Sequence, residues 1–497
     1  MSGTWIERAR QLDLRVCDFV EGRRIEEPAG ERLEKTGPRD GKLLYRLPRG
    51  DARSAERAVA SARAAFEDGR WSQLPVQRWK EVLFKLAEVV ERQREELALL
   101  ECLDVGKPIS DALAVDLPMC AAWLRFCAEA ADKHYGRVYG VDRSSLSYEL
   151  RRPVGVVAGI VGWNFPLVLA VQKVGPALAT GNSMVLKPSE WTSLSAVRLA
   201  ELALEAGVPP GVLNVVNGDR GLGAALAHHP QIDLVSFTGS TRTGKALMVA
   251  AGESNLKRLI LECGGKAPNI VFDDCPDLDA VAGAIVGSAF WNQGEVCVAS
   301  SRILVQASIA AKLKERLLTK VERLVAGDPL DAATRYGALV SRAHVEKVSS
   351  YIGAAEGEGA RLAYRGKITA PVAGGFYVAP HVYEGVRSEH RLAQEEIFGP
   401  VLSILAFEDE AEAVRIANDT IYGLSAIVWT QDLGRGHRLA QGIRAGSILV
   451  NATAHPHGGP GEAVMSMGGH KQSGIGVEGG LAGLEAYTSS TAVQYFV

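Results

Sequence analysis

Six short stretches carry residue types that could do chemistry together. In 290–302, FWNQGEVCVASSR, Cys297 stands among small and polar residues, just past a glycine and before a strand-like run. A thiolate there would attack an electrophilic carbon. On its own such a cysteine is more often a small hydrophobe. In 259–266, LILECGGK, Glu262 ends an apolar strand before Cys263 and two glycines. Partial burial would raise its proton affinity toward the range of a general base, whereas a solvated strand-end acid would do nothing. GWNFP (162–166) offers Asn164 as an amide donor to a developing oxyanion, and LKPSE (186–190) offers Lys187 as a cation for ribose or phosphate. A turn asparagine and a surface lysine are the plainer readings. In EEIFGP (395–400), Glu396 and Phe398 lead into a Gly-Pro turn, by itself an ordinary loop. Finally, QIDLVSFTGSTRTGKA (231–246) runs from an apolar strand through Gly239-Ser-Thr-Arg-Thr-Gly244 into a helical stretch. Such a turn aims N–H groups and a helix N-terminus at an anion.

That last segment nearly matches the phosphate loop of nucleotide hydrolases, with Lys245 after Gly244 and an acidic NIVFDD (269–274) downstream. Ala246, however, stands where a magnesium-binding hydroxyl is required. Phosphate binding without nucleotide hydrolysis is the expectation.

The elements that must position these residues read as an α/β protein. From Pro153 onward, apolar β-branched runs (154–161, 184–186, 213–216, 233–237, 258–261) alternate with helical stretches such as 193–206. That rhythm predicts βαβ units around a buried parallel sheet. A second series follows Cys297, with strands at 302–306 and 401–407 and helices at 308–325, 343–356 and 409–418. Upstream, Asp51 or Ser54 caps a helix ending at Gly69, and one long helix spans about Val76 to Leu103. Segments 145–152 and 487–497 have the alternation and β-branched content of strands. The boundary between two α/β domains falls near Glu262 to Gly265.

Composition narrows the class. The 497 residues are 47% hydrophobic and 23% charged, ordinary for globular chains, and two or three domains are expected at this length. A net charge of −3 gives no case for nucleic acid or an anionic membrane. Seven cysteines, without Cys-x-x-Cys spacing or a histidine cluster, argue against disulfides and metal and for a reducing compartment. The N-terminus lacks an apolar signal run and no stretch of about 18 apolar residues occurs, so a cytoplasmic location is expected.

Taken in order, WNFP, KPSE, FTGSTRTG, LECGGK, NQGEVC, EEIFGP and GGHKQSG resemble the aldehyde dehydrogenase superfamily over essentially the whole chain. The texture of GVLNVV, KAPNIVF and YGLSAIVWT is similar to bacterial enzymes acting on amino- and γ-glutamylamino-aldehydes. The resemblance implies a Rossmann-like NAD(P)-binding domain (1–131 and 154–262), an α/β catalytic domain (263–480) and a small β oligomerisation arm (132–153 and 481–497). It implies a homodimer or homotetramer. Cys297 would be the nucleophile, Asn164 and the Cys297 N–H the oxyanion hole, and Glu262 the activator of the hydrolytic water, giving a carboxylic acid. NAD, with NADP also possible, would be held by Trp163, Lys187, Glu190, Gly239, Ser240, Gly244, Glu396 and Phe398. A carboxylate at Glu190 favours NAD.

Several positions depart from the family. Gly162 replaces a usual proline and would loosen the loop carrying Asn164. Glu295 replaces a common glutamine, and an acid there would raise the thiol's proton affinity unless it points away. Gln172 and Met467 stand where aromatic residues commonly line the substrate tunnel, with Phe165 and Trp291 kept as walls. Loop 452–467 is glycine-rich and longer than usual. The expectation is a roomier, more polar tunnel for a long or an amino- or amide-bearing aldehyde. A catalytically impaired member with a structural or binding role is the alternative.

Overall fold

The computed structural model describes residues 4–26, 30–141, 144–368, 372–452 and 463–496. Two large sheets organise the chain. In the first, five parallel strands run in spatial order Arg258–Glu262, Leu234–Thr238, Val156–Ile160, Ser183–Lys187, Leu213–Val215. Antiparallel strands flank both edges, Gly474–Ile475 beside Arg258–Glu262 and Asp18–Val20 beside Leu213–Val215. Strand order reverses between Val156–Ile160 and Leu234–Thr238. In such sheets the crevice beyond the carboxyl ends at this reversal is where ligands sit. The two loops that open there are the predicted ones, 161–165 and 239–240.

The strands read as continuous apolar runs because both faces are covered. Val156–Ile160 and Ser183–Lys187 are buried throughout. Helix Pro166–Ala179 buries all its residues except Leu169 and Gln172, including the charged Lys173. Helix Ala52–Glu67 covers the other face, capped by Asp51, whose carboxylate accepts from the N–H groups of Arg53 and Ser54.

Between Glu262 and Pro268 the chain crosses to the second sheet. Its order is Arg361–Arg365, His381–Glu384, Val401–Phe407, Arg302–Gln306, Pro268–Val271, Ser425–Trp429, Ser447–Val450. All neighbours are parallel except the first pair. A third sheet joins Thr488–Phe496 to Ser145–Pro153 and Val138–Tyr139 in antiparallel register. Val138, Leu146, Tyr495 and Phe496 are exposed on it.

Two expectations need correction. The helix predicted over 76–103 is two, Val76–Arg92 and Arg94–Val105, broken where Gln93 leaves helical geometry at φ −96°, ψ 14°. The stretch 308–325 opens with a single 3₁₀ turn, Ala307–Ile309, before helix Ala310–Val321. Of loop 452–467, residues 453–462 lie outside the described residues. No helix among the described residues is long and apolar enough to cross a membrane.

Candidate active site

Strand Arg258–Glu262 delivers Glu262 to the crevice, where the chain must turn sharply past two close neighbours. A Cβ on Gly264 would stand 2.4 Å from Glu396 Oε2, and one on Gly265 would stand 2.3 Å from the Cys297 carbonyl. Only glycine lets the carboxylate and the nucleophile loop approach this strand end. Gly265 N–H then donates to Glu396 Oε1 at 2.8 Å. Cys297 is half-buried, at the mouth of this arrangement rather than sealed in an apolar core. Desolvation, then the Glu396 and Glu262 carboxylates, push its thiol up to about 12. Burial and both carboxylates thus act together to favour the protonated thiol.

Glu262 itself is displaced well above the ordinary carboxyl range, first by burial and then by Glu478, with Lys173 acting in the opposite sense. One of its oxygens is buried without a partner. Lys173, fully buried, is ion-paired with Glu478 and donates to Thr238 Oγ1 at 2.7 Å. Ser236 donates to the same Glu478 carboxylate at 3.3 Å and accepts from Tyr487 Oη at 2.9 Å. Sequence reasoning missed Lys173 and Glu478. The lone charge in the apolar run PLVLAVQKVGPALA was the available signal for the first; nothing marked its partner, 305 positions away.

The Asn164 loop is tied down despite Gly162. Asn164 Nδ2 donates to the Glu295 carbonyl at 2.9 Å, and Asn292 Nδ2 donates to the Asn164 carbonyl at 3.0 Å. A Cβ at Gly162 would meet only ordinary contacts, the nearest at 3.5 Å. The Glu295 carboxyl is fully buried and accepts from Val340 N–H at 3.0 Å. The carboxylates that raise Cys297 most are Glu396 and Glu262.

Residues expected at the cofactor gather on the same crevice. Trp163 packs edge-on against Phe398 and His344, both at 5.1 Å between ring centres, and tilts against Trp191 at 5.9 Å. Phe398 has φ +60°, a strained conformation for a bulky residue, and its carbonyl accepts from His344 Nε2 at 2.6 Å. Lys187 is buried at the end of its strand, not on the surface. Its Nζ donates to the Pro188 carbonyl at 3.0 Å and lies 3.7 Å from Glu190, and burial lowers its proton affinity. Ser240 caps helix Thr241–Glu253, its hydroxyl accepting from Thr243 N–H at 3.2 Å. Gly244 lies inside that helix, not in the turn. Its N–H is spent on the Ser240 carbonyl, and a Cβ would stand 2.7 Å from Cys263 Sγ. Gly244 thus serves helix-to-strand packing rather than offering an N–H to an anion.

On the other side of Asn164, Phe165 and Trp291 face each other at 5.0 Å, with Lys107 Nζ 4.0 Å from the Phe165 ring centre. Gln172 is half-exposed. Met467 pairs with Glu478 through both backbone groups, at 2.8 and 2.7 Å.

The chain around this half-buried thiol, anchored carboxamide and buried carboxyl has known relatives. A family model described as the aldehyde dehydrogenase family matches residues 25–493, and the chain belongs to that family. It is 44% identical over 485 residues to the NADP/NAD-dependent aldehyde dehydrogenase PuuC of Escherichia coli, covering 97% of this chain and 96% of the relative. It is 46% identical over 470 residues to an aminoacetaldehyde dehydrogenase of Pseudomonas aeruginosa, covering 94% and 93%. Among solved structures it is similar to a mutant of P. syringae AldA indole-3-acetaldehyde dehydrogenase in complex with NAD+ and IAA. The TM-score is 0.97, with 46% identity and full coverage of both chains.

Proposed function

We propose that this enzyme oxidises an aldehyde to its carboxylic acid with NAD+ or NADP+, through Cys297, Asn164 and Glu262. The carrying observation is that the chain just past Glu262 packs against the Cys297 backbone, through Gly265, while the Asn164 carboxamide donates to the Glu295 carbonyl two residues before Cys297. Membership of the family and the NAD-linked names of its relatives support the cofactor.

The residues fit a dinucleotide. Buried Lys187 bonds the Pro188 carbonyl and pairs with Glu190, leaving an N–H for a ribose or phosphate oxygen. The N-terminus of Thr241–Glu253 presents unpaired N–H groups to an anion. Glu396, held by Gly265, would accept from the other ribose, and the Trp163–Phe398 corner would bound the nicotinamide. Glu190 would accept from the adenosine ribose and repel a 2′-phosphate. Held by these residues, the cofactor would supply a hydride acceptor, so that loss of hydride from the carbon bonded to Cys297 would leave a thioester.

The chain's own groups do the rest. Cys297 loses its proton to water as its sulfur bonds to the aldehyde carbon, whose carbonyl π electrons move onto the oxygen. The oxyanion that forms accepts from Asn164 Nδ2 and the Cys297 N–H. Glu262 later takes a proton from the water that attacks the thioester, and the acid leaves as the thiol is restored. Lys173 and Glu478 set how readily Glu262 takes that proton.

The residue types at the half-exposed Gln172 and at Met467, with the Phe165–Trp291 aromatic pair, support a long or an amino- or amide-bearing substrate, as do the aminoaldehyde names of relatives. The domain division is proposed as 1–131 with 154–262 for cofactor, 263–480 for catalysis, and 132–153 with 481–497 for assembly. The exposed apolar residues of the three-stranded sheet support a homodimer or homotetramer, readable by sedimentation. A kcat/KM series over propanal, hexanal, 4-aminobutanal and benzaldehyde, with both cofactors, tests the reading. Preference for propanal would overturn the substrate class; no activity on any, with Cys297→Ala indistinguishable from the parent, would overturn the reaction.

A further inference from the structure

We infer that Glu295 is a positioning residue for the oxyanion donor: its side chain, anchored on Val340, fixes the backbone carbonyl that orients the Asn164 amide. The inference rests on the role given to Asn164 above. A carboxamide has two N–H groups; one donates to the Glu295 carbonyl at 2.9 Å, which sets the amide plane and leaves the other for the oxyanion.

That carbonyl follows a single distorted 3₁₀ turn, Trp291–Gly294, in which Glu295 N–H donates to the Asn292 carbonyl at 2.9 Å and Asn292 Nδ2 donates to the Glu295 carbonyl at 3.4 Å. Asn292, Gln293 and Gly294 have φ of +45°, +56° and +77°, and the first two bear side chains that disfavour this region. Side chains take over the holding. Gln293 Oε1 accepts from Gly337 N–H at 2.9 Å, and its Nε2 donates to the Ala338 carbonyl at 3.2 Å. Glu295 Oε1 accepts from Val340 N–H at 3.0 Å. The strip 337–340 is itself fixed, by Ala338 N–H to Gly106 O, Leu339 N–H to Phe376 O and Lys35 Nζ to Val340 O at 2.9, 2.8 and 3.1 Å. Of these clasps, Glu295 lies nearest in sequence to Cys297 and carries the carbonyl in question.

The Glu295 carboxyl is completely buried, and its second oxygen has no partner. Lys35, His344, Lys107 and Tyr336 face it, but burial dominates and pushes its proton affinity well above the ordinary range. A neutral carboxyl presents Oε1 as a plain acceptor and does not oppose the thiolate two residues on. An amide would serve equally.

The test measures the pre-steady-state rate of reduced-cofactor formation at saturating aldehyde and NAD+, with the melting temperature of each variant. Asn164→Ala should slow it about 10²–10³-fold. Glu295→Gln should stay within about threefold of the parent, with an unchanged pH profile. Glu295→Met, which removes the acceptor at similar volume, should slow it at least about tenfold while the KM for NAD+ holds. In the Asn164→Ala background, Glu295→Met should add less than about a twofold loss, because the two act through one amide. A Glu295→Met enzyme as fast as the parent, or losses that multiply in the double variant, would overturn the inference. If Asn164→Ala alone is without effect, the oxyanion role fails instead, and the two failures are distinct. If Glu295→Met does not fold, Glu295→Asp, one methylene short of Val340, takes its place in the same cycle.

Discussion

Replacing Glu262 by glutamine separates two consequences of one buried carboxyl. In the unfolded chain this group ionises around its ordinary value of 4.5; in the folded chain burial and Glu478 hold the proton to a much higher pH. Below 4.5 both states are protonated and the group is neutral for stability. Above it the unfolded state gives up a proton that the folded state retains, so stability falls as pH rises, until the folded group also ionises. One proton of difference corresponds to about 1.4 kcal/mol per pH unit. Glutamine lacks this term and keeps the shape. The variant should therefore unfold like the parent near pH 4 and gain on it by about 1.4 kcal/mol per unit through the window above 4.5. Denaturant unfolding of both proteins from pH 4 to 9, at fixed ionic strength and protein concentration, measures the difference curve, in which other titrating groups cancel. The same substitution should leave the first-turnover burst in place and slow steady turnover about 10²–10⁴-fold. A flat difference curve, or a parent that gains on the variant with rising pH, would mean Glu262 is ionised in the resting fold and refute the argument.

Other consequences are equally open to measurement. Because the Cys297 thiol is pushed up to about 12, iodoacetamide alkylation of the free enzyme should rise about tenfold per pH unit from 7 to 10 without a plateau, followed by mass of the labelled peptide. A plateau below pH 8 would contradict it. Gly265→Ala puts a Cβ against the Cys297 carbonyl, so turnover should fall at least about 100-fold while far-ultraviolet circular dichroism is kept. Lys173→Met strands a buried carboxylate and should destabilise by about 3–5 kcal/mol, with Glu478→Gln in the same chain recovering most of the loss in denaturant melts. It should also move the acid limb of turnover to higher pH, since Lys173 is what lowers Glu262's hold on its proton.

The parallel strands were legible because burial on both faces writes itself as unbroken runs such as VGVVAGIV, and their ends marked where Asn164 and Glu262 emerge. Asp51 as a cap was legible for the same local reason. What escaped was non-local. No proline or glycine announces the break at Gln93, where both halves keep a helical pattern. Gly244 sits in a motif whose spacing suggests a loop, yet its N–H is already inside the helix. The direction of Glu295 is decided by Val340 and could not be read from its distance to Cys297 along the chain. Lys173 and Glu478 acquire meaning only as a pair, and pairing across hundreds of residues leaves no periodic trace.

The strip 337–340 has a practical corollary for anyone wishing to redirect this enzyme toward other aldehydes. The loop that carries the sulfur is bolted to that strip, while Gln172 and Met467 belong to different segments, a helix and a bridge near the C-terminus. Mutational libraries can therefore explore 172 and 467 broadly while 291–297 and 337–340 are left untouched. On the proposed substrate roles of 172 and 467, such libraries would change selectivity without touching the backbone clasp of the Cys297 loop, much as a tool's jaws can be exchanged without retuning its drive.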